Sequence, residues 1–324
     1  MFELTRENAA NWLAGQGFPA SGWNVTELGG GVSNTVLLAE RGRQRLVLKQ
    51  SLAKLRVEQE WLSERTRIHR EADALRALAS RLEVPEVVAE DRANCLFAMT
   101  AAPVGARTWK ALLMAGEIEG DAAARIGGML ASLARAGWRD EAWRERFGDQ
   151  TVFDQLRLDP YYRSTARRHP DLAGAFARLL EGAARPLSLV HGDWSPKNFL
   201  VAGNSITAID FEVIHFGDPA FDTGFLLNHL ALKCFHLPQW RGRLAEAAAR
   251  FWQTYRAGLP EPASWLEAAT LAHLGGLMLA RIDGKSPAEY ITAPEERARV
   301  RDFARDLMRE PPAAVEEVFE RLCR

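Results

Sequence analysis

The sequence is poor in cysteine, carries almost no net charge and contains no long apolar run. Its three cysteines, Cys95, Cys234 and Cys323, are odd in number, widely separated and form no Cys-x-x-Cys pair. That argues against a disulfide framework and against a thiolate zinc cluster. With 41 Lys and Arg against 42 Asp and Glu, the formal net charge is −1, so no polyanion-binding surface and no nucleic-acid partner are expected. The most apolar helical stretch, Leu271 to Ala280, is shorter than the ~20 residues that span a bilayer. The opening run Met1-Phe2-Glu3-Leu4-Thr5-Arg6-Glu7 places acids where a secretory segment carries an apolar core. A reducing cytoplasm without membrane contact is the expected setting. The run Arg65–Arg70, interleaved with Glu64 and Glu71, reads as a solvated helix face.

What is present is ordinary globular material, 47% hydrophobic and 26% charged over 324 residues, enough for two lobes. Thr5 to Ala14 reads as a short helix with Thr5 as N-cap. Short β-rich runs follow at Trp23–Leu28, Thr35–Ala39 and Arg45–Gln50, punctuated by Gly29-Gly30-Gly31 and Gly42. A helix is expected from about Glu58 to Ser80, then strands at Val84–Val88 and Cys95–Met99. Beyond Pro103-Val104-Gly105 the chain turns helical, at about 108–115, 119–137, 171–184, 219–235, 240–257, 263–281 and 295–309. One β-rich island, Leu187 to Asp210, interrupts these helices. The expected plan is α+β: a small β-rich lobe over 1–99, a larger mainly helical lobe over 100–324, a hinge near 97–104 and a ligand cleft between them.

The strongest chemical signal is His191-Gly192-Asp193-Trp194-Ser195-Pro196-Lys197-Asn198, followed after Ile209 by Asp210-Phe211-Glu212. An Asp, four intervening residues and an Asn, then an Asp beyond a short hairpin, is the spacing of a phosphoryl-transfer loop and its metal-binding strand end. The loose transition state of that reaction asks a protein chiefly to position groups and neutralise charge. On this reading Asp193 accepts a hydrogen bond from an acceptor hydroxyl and takes its proton late. Asn198 and Asp210 offer hard oxygen ligands to Mg2+. A second signal lies in Leu28-Gly29-Gly30-Gly31-Val32-Ser33-Asn34-Thr35-Val36. Gly29, Gly30 and Gly31, with Ser33 and Asn34, are candidate phosphate contacts, because backbone amides in a glycine turn approach anions closely. No Lys-Ser/Thr follows and the next element is a strand, so this is neither a Walker loop nor a Rossmann fingerprint. Third, Leu46-Val47-Leu48-Lys49 is an apolar strand ending in a lysine suited to α- and β-phosphates. Glu71 on the next helix is the chosen partner for Lys49, with Glu60, Glu64 and Asp73 as competitors, because Leu75 and Leu78 mark the buried face.

These motifs, in this order, resemble the aminoglycoside phosphotransferase/choline kinase family, small-molecule relatives of the protein kinases. The resemblance runs from Gly29–Gly31 to the helix near Arg281. Its specific core is His191–Asn198, Asp210 and Gly217-Asp218-Pro219-Ala220-Phe221-Asp222. It implies a protein-kinase-like two-lobe fold, ATP and Mg2+ as cofactors, and a phosphotransferase whose acceptor is a hydroxyl of a sugar, an aminoglycoside-like compound or an amino alcohol. Phe97–Ala101 is expected to be the hinge between the lobes, its backbone pairing with adenine, and Met99 either faces the base or is a buried strand residue. Lys49-Gln50, Trp61 and Glu71 are further similar to methylthioribose kinases, but Trp194–Asn198 and Asp210-Phe211-Glu212 depart from them. Only seven residues separate Asp210 from Asp218, too few for a peptide-docking activation loop, so no protein substrate is expected.

Two other functions fit parts of the pattern: a metal-dependent hydrolase using His191, Asp193, Asp210 and His215, and a nucleotide-binding regulator without turnover. Several residues carry two readings. Asp218 is expected to cap the helix opened by Pro219, and Asp222 to brace the loop from behind. His191 is expected to bond within the loop. Trp194 either shapes the acceptor pocket or packs. Arg281, Asp283 and Lys285 end a buried helix, either reaching the acceptor or lying solvated. Glu316, Glu317 and Glu320 either form an acidic pocket for a cationic acceptor or a solvated face. The acceptor, the choice between ATP and GTP, and the oligomeric state are not legible in the sequence.

Overall fold

The computed structural model describes residues 2–29, 34–52 and 63–324. The chain divides into two compact units, Met1–Ala106 with Thr207–Val213, and Arg107–Ile206 with Ile214–Arg324. Thus a short segment late in the chain returns to the first unit.

The first unit is an antiparallel sheet of β1 (Asn24–Glu27), β2 (Asn34–Arg41), β3 (Gln44–Ser51), β4 (Val87–Asp91) and β5 (Leu96–Thr100), in the order β1-β2-β3-β5-β4. Gly42, at φ 59°, turns β2 into β3. Alternation along β3 decides what each face carries. Leu46 and Leu48 join Leu96 and Ala98 against Leu4, Trp12 and Leu13, the last two from α1 (Ala9–Gly15). Val47 and Lys49 lie on the other face, opposite Met99 and Phe97 of β5. Over α2 (Arg67–Leu78) the buried residues Ile68, Glu71, Ala72, Leu75 and Leu78 recur at helical spacing, so Glu71 belongs to the inward stripe.

Both helices are shorter than expected. Thr5 does not cap α1: its N–H donates to Asn8 Oδ1 at 2.8 Å, and α1 begins only at Ala9. α2 starts at Arg67 because the preceding chain is tied to the end of β3. Ser51 Oγ donates to Arg65 O at 2.7 Å, and Arg65 Nε donates to Ser51 O at 2.9 Å. The expected helical residues 58–62 lie outside the described ones.

The second unit is mainly helical: α3 (Trp109–Met114), α4 (Gly120–Gly137), α5 (Glu141–Phe147), α6 (Thr151–Phe153), α7 (Ser164–Arg168), α8 (Ala173–Ala183), α9 (Ala220–His236), α10 (Arg241–Ala257), α11 (Leu266–Asp283), α12 (Pro294–Arg309) and α13 (Val315–Cys323). Between α6 and α7 the residues Asp154–Arg163 wind as a π-helix around Pro160. Pro breaks an α-helix interior, and the wider winding, frequent at functional sites, carries the chain past it. Neither this run nor α5 was foreseen from the sequence. Small residues set the close helix contacts: a Cβ on Gly127 of α4 would lie 2.5 Å from Phe251 O of α10. α9 is buried almost all round. Short strands frame the loop that follows. β7 (Ser188–Val190) pairs antiparallel with β10 (His215–Gly217), Val190 opposite His215, while β6 (Arg107–Thr108), β8 (Phe199–Ala202) and β9 (Ser205–Ala208) form a second small sheet. Among the described residues no helix is long and apolar enough to cross a membrane.

Candidate active site

In the first unit, β3 presents Lys49 to two carboxylates. Its Nζ lies 2.6 Å from Glu71 Oε2 and 2.6 Å from Asp210 Oδ1. Asp210 arrives on the returning segment, which is fastened at both ends. Ala208 N donates to Glu83 O at 2.9 Å. Beyond Asp210, Glu212 Oε2 accepts from Asn34 Nδ2 at 2.9 Å and from Arg67 Nε at 3.1 Å. Asp210 itself sits at φ 70°, the left-handed region that Asp tolerates better than most residues. Burial opposes the charge on Lys49, but Asp210, Glu71 and Glu212 outweigh it and hold the ammonium charged, above its usual range. The oxygens of Glu71, Asp210 and Glu212 lie within 4.8 Å of one another, the arrangement among the described residues able to hold a cation. They are hard donors of the kind Mg2+ takes, and no histidine belongs to the group.

In the second unit, β7 runs into His191–Ser195, and the first turn of α9 holds that loop. Asp222 Oδ2 accepts the backbone N–H of His191 at 2.6 Å, and Oδ1 that of Gly192 at 2.9 Å. Burial pushes the Asp222 carboxyl up to about 7 against the pull of these two amides. The loop is also closed from within. Asp193 N donates to His191 Nδ1 at 3.1 Å, and Asn198 Nδ2 donates to Asp193 O at 2.9 Å. That bond fixes the Asn198 amide against the loop backbone. The Asp193 carboxylate is buried, and its Oδ2 lies 2.9 Å from Arg157 Nη2 and 2.9 Å from Lys197 Nζ. Arg157, from the π-wound segment, also donates through Nε to Gly192 O at 2.6 Å. Asp218 Oδ1 accepts from Ala220 N at 2.9 Å, and Arg185 holds Oδ2 at 2.5 Å.

Several expectations need correction. Arg65–Arg70 is not a solvated face: Arg67 is buried and pairs with Glu212. β5 is an interior strand, so its backbone N–H groups are used within the first unit. Phe97, Ala98 and Met99 pair with both β3 and β4. Thr100 N donates to Glu86 O at 2.9 Å and Ala101 N to Arg45 O at 3.1 Å. Met99 is buried opposite Val47. Trp194 is a packing residue, fully buried and edge-on to Phe199 at 4.8 Å and to His191 at 5.3 Å. Asp283 is not solvated but gathers His169 at 2.9 Å and Arg301 at 2.7 Å, while Lys285 pairs with Asp159 at 2.9 Å. Glu316, Glu317 and Glu320 lie away from the buried residues Val315, Val318, Phe319 and Leu322 of α13. His215 stacks on Phe153 at 3.8 Å.

Among the glycine-loop residues, Gly29 is exposed with open space around it and Asn34 opens β2. Gly30, Gly31 and Ser33 lie outside the described residues, as does Glu60. Of the described competitors for Lys49, Asp73 faces Arg76 and Arg92 instead. Sequence reasoning missed Arg67, Arg157 and Glu212. Only Glu212 left a trace, two residues past Asp210.

A lysine clamped by two carboxylates in a five-stranded β-unit, and an aspartate-bearing loop braced by a helix in a helical unit, define a protein-kinase-like small-molecule phosphotransferase. Residues 24–265 match the model of the phosphotransferase enzyme family, APH, and the chain belongs to that family. Solved structures share the fold. A choline/ethanolamine kinase family protein from Mesorhizobium loti is 19% identical, with a TM-score of 0.56 over 98% of this chain and 96% of that one. The amicoumacin kinase hAmiN, in complex with AMP-PNP, Ca2+ and Ami, is 18% identical, with a TM-score of 0.55 over 90% and 89%. The gentamicin complex of APH(2″)-IIa is 18% identical, with a TM-score of 0.53 over 98% and 99%. Among the curated proteins none matches.

Proposed function

We propose that the chain transfers the γ-phosphate of ATP to a hydroxyl of a small molecule, with Asp193 orienting the acceptor. The observation that carries this reading is the Lys49 ammonium held 2.6 Å from both Glu71 and Asp210, a fixed cation suited to phosphate oxygens. The AMP-PNP in the amicoumacin kinase complex supports ATP as donor. Asp193 accepts the hydroxyl hydrogen bond. The acceptor oxygen bonds to the γ-phosphorus as the bond to the β,γ-bridging oxygen breaks, ADP leaves, and the hydroxyl proton passes to the Asp193 carboxylate and then to water. Arg157 and Lys197 hold that carboxylate in place. Asp210 and the Asn198 oxygen are the residues that would hold Mg2+. When bound, the ion neutralises charge on the phosphate oxygens.

The test is a coupled ATP-consumption screen over sugars, aminoglycosides, choline and amino alcohols. Asp193→Asn is expected to lower kcat by about 10²–10⁴-fold while Mg·ATP still raises the melting temperature. Undiminished turnover in that variant would remove Asp193 from the mechanism.

A further inference from the structure

The second unit holds three cations, Lys110, Lys233 and Arg281, that the proposed transfer does not use. Lys233 lies on α9 and is 0% exposed. Its Nζ donates to His229 O of the same helix at 3.3 Å and sits 5.3 Å from the centre of the Tyr290 ring. No carboxylate among the described residues lies within ion-pair distance of it. Lys110 of α3 lies 5.9 Å from the same ring and pairs with Glu289. Arg281 of α11, 8% exposed, donates to Ser286 O at 2.5 Å and Oγ at 2.9 Å, and reaches Tyr161 OH at 3.5 Å. Its Nε and the Tyr290 hydroxyl are buried with no hydrogen-bond partner. The group runs on to Asp193: Arg157 lies 6.0 Å from the Tyr161 ring and 2.9 Å from the Asp193 carboxylate.

The charge balance is one-sided. Among the described residues Lys110, Lys233 and Arg281 face one carboxylate, Glu289, whereas Arg157 and Lys197 are taken up by Asp193, with Asp222 also acting on Arg157. Glu296 faces His236 at 3.4 Å and also acts on the Tyr290 hydroxyl. His229 adds no charge, since burial and then Arg281, Lys233, Lys197 and Lys110 pull its pKa well below the usual value. Burial, then Lys110 and Arg281, pull Lys233 down to about 7, against weaker help from Glu289 and Cys234. A buried ammonium without a counter-ion and two buried polar atoms without partners are costly to keep. An incoming anion would supply the counter-charge that Lys233 and Arg281 together lack, whereas a cationic acceptor would meet like charge.

We infer that the acceptor is a hydroxylated anion, whose carboxylate or phosphate group is bound by Lys233, Arg281 and Tyr290 while its hydroxyl addresses Asp193. The inference rests on the proposed role of Asp193 and narrows the substrate class of that site.

Matched acceptors test it: glycerate, glycerol and 3-amino-1,2-propanediol, then galacturonate, galactose 6-phosphate, galactose and galactosamine. Turnover is expected to favour the anionic members by about tenfold or more in kcat/KM, and the carboxylate and phosphate arms identify the head group. Lys233→Met should raise KM for the preferred anion about tenfold or more, with kcat, KM for ATP and turnover of the neutral analogue little changed. Lys233→Arg should restore part of the loss. Affinity for the anion should fall as pH rises from 7 to 9, as Lys233 loses its proton. A preference for neutral or cationic acceptors overturns the inference, as does an anion preference that survives in both Lys233→Met and Arg281→Met. Thermal shifts with galacturonate and with inorganic phosphate separate the two readings. Anion stabilisation lost in Lys233→Met, with no ATP consumed on any acceptor, keeps the anion site and sinks phosphate transfer. Turnover of galactose or galactosamine without anion stabilisation does the reverse. No anion effect on wild-type melting overturns the site outright.

Discussion

Lys49 shares its ammonium between Glu71 and Asp210, and the third carboxylate, Glu212, depends on Arg67. Arg67 is fully enclosed, donating also to Leu52 O at 3.0 Å and Glu64 O at 2.8 Å. Removing one partner of a buried pair strands the other. Arg67→Met is therefore expected to cost about 3–5 kcal/mol in urea unfolding. The double variant with Glu212→Gln should recover part of that loss, and losses that simply add would show that the two residues are not coupled. Residues of this kind mark how far the sequence can be read. Asp193, Asn198, Asp210 and Lys49 stood out as candidates because the proposed chemistry demands fixed spacing beside apolar strands. Arg67 and Arg157 were not, because an arginine in a charged run looks the same whether water or a carboxylate receives it. Only the tertiary partner decides.

At the scale of elements, the helix–helix contacts turn on single small residues. Gly127 brings α4 against the α10 backbone, and the neighbour a Cβ would meet is a carbonyl oxygen, not a yielding side chain. Gly127→Ala should destabilise the chain by about 1–3 kcal/mol, as overpacking does, despite the better helix propensity of alanine. A melting temperature equal to or above that of the parent would contradict this account. The longer helices were legible from their 3.6-residue periodicity, since each buries one stripe over three or more turns. The short helix α5, the π-wound stretch with Pro160 and the two-residue strand β6 were not. They last too few residues to show a period, or, for Pro160, read locally as an end to the helix.

At the scale of the molecule, the decisive feature is the return of Thr207–Val213 to the first unit. A fragment ending at Ala106 would keep the whole five-stranded sheet but lose the partners of Lys49, Arg67 and Asn34 that this segment brings. Such a fragment is expected to unfold at lower urea concentration, and with a broader transition by circular dichroism, than one in which residues 207–213 are fused back through a glycine linker. Equal curves would show that the returning segment adds no stability. The same chain path also bears on acceptor choice. Lys49, Glu71, Asp210 and Glu212 travel as one block, and Lys233, Arg281 and Tyr290 as another. On the acceptor site inferred above, changes confined to the helical unit would exchange the compound modified and leave the residues that grip the lysine unaltered.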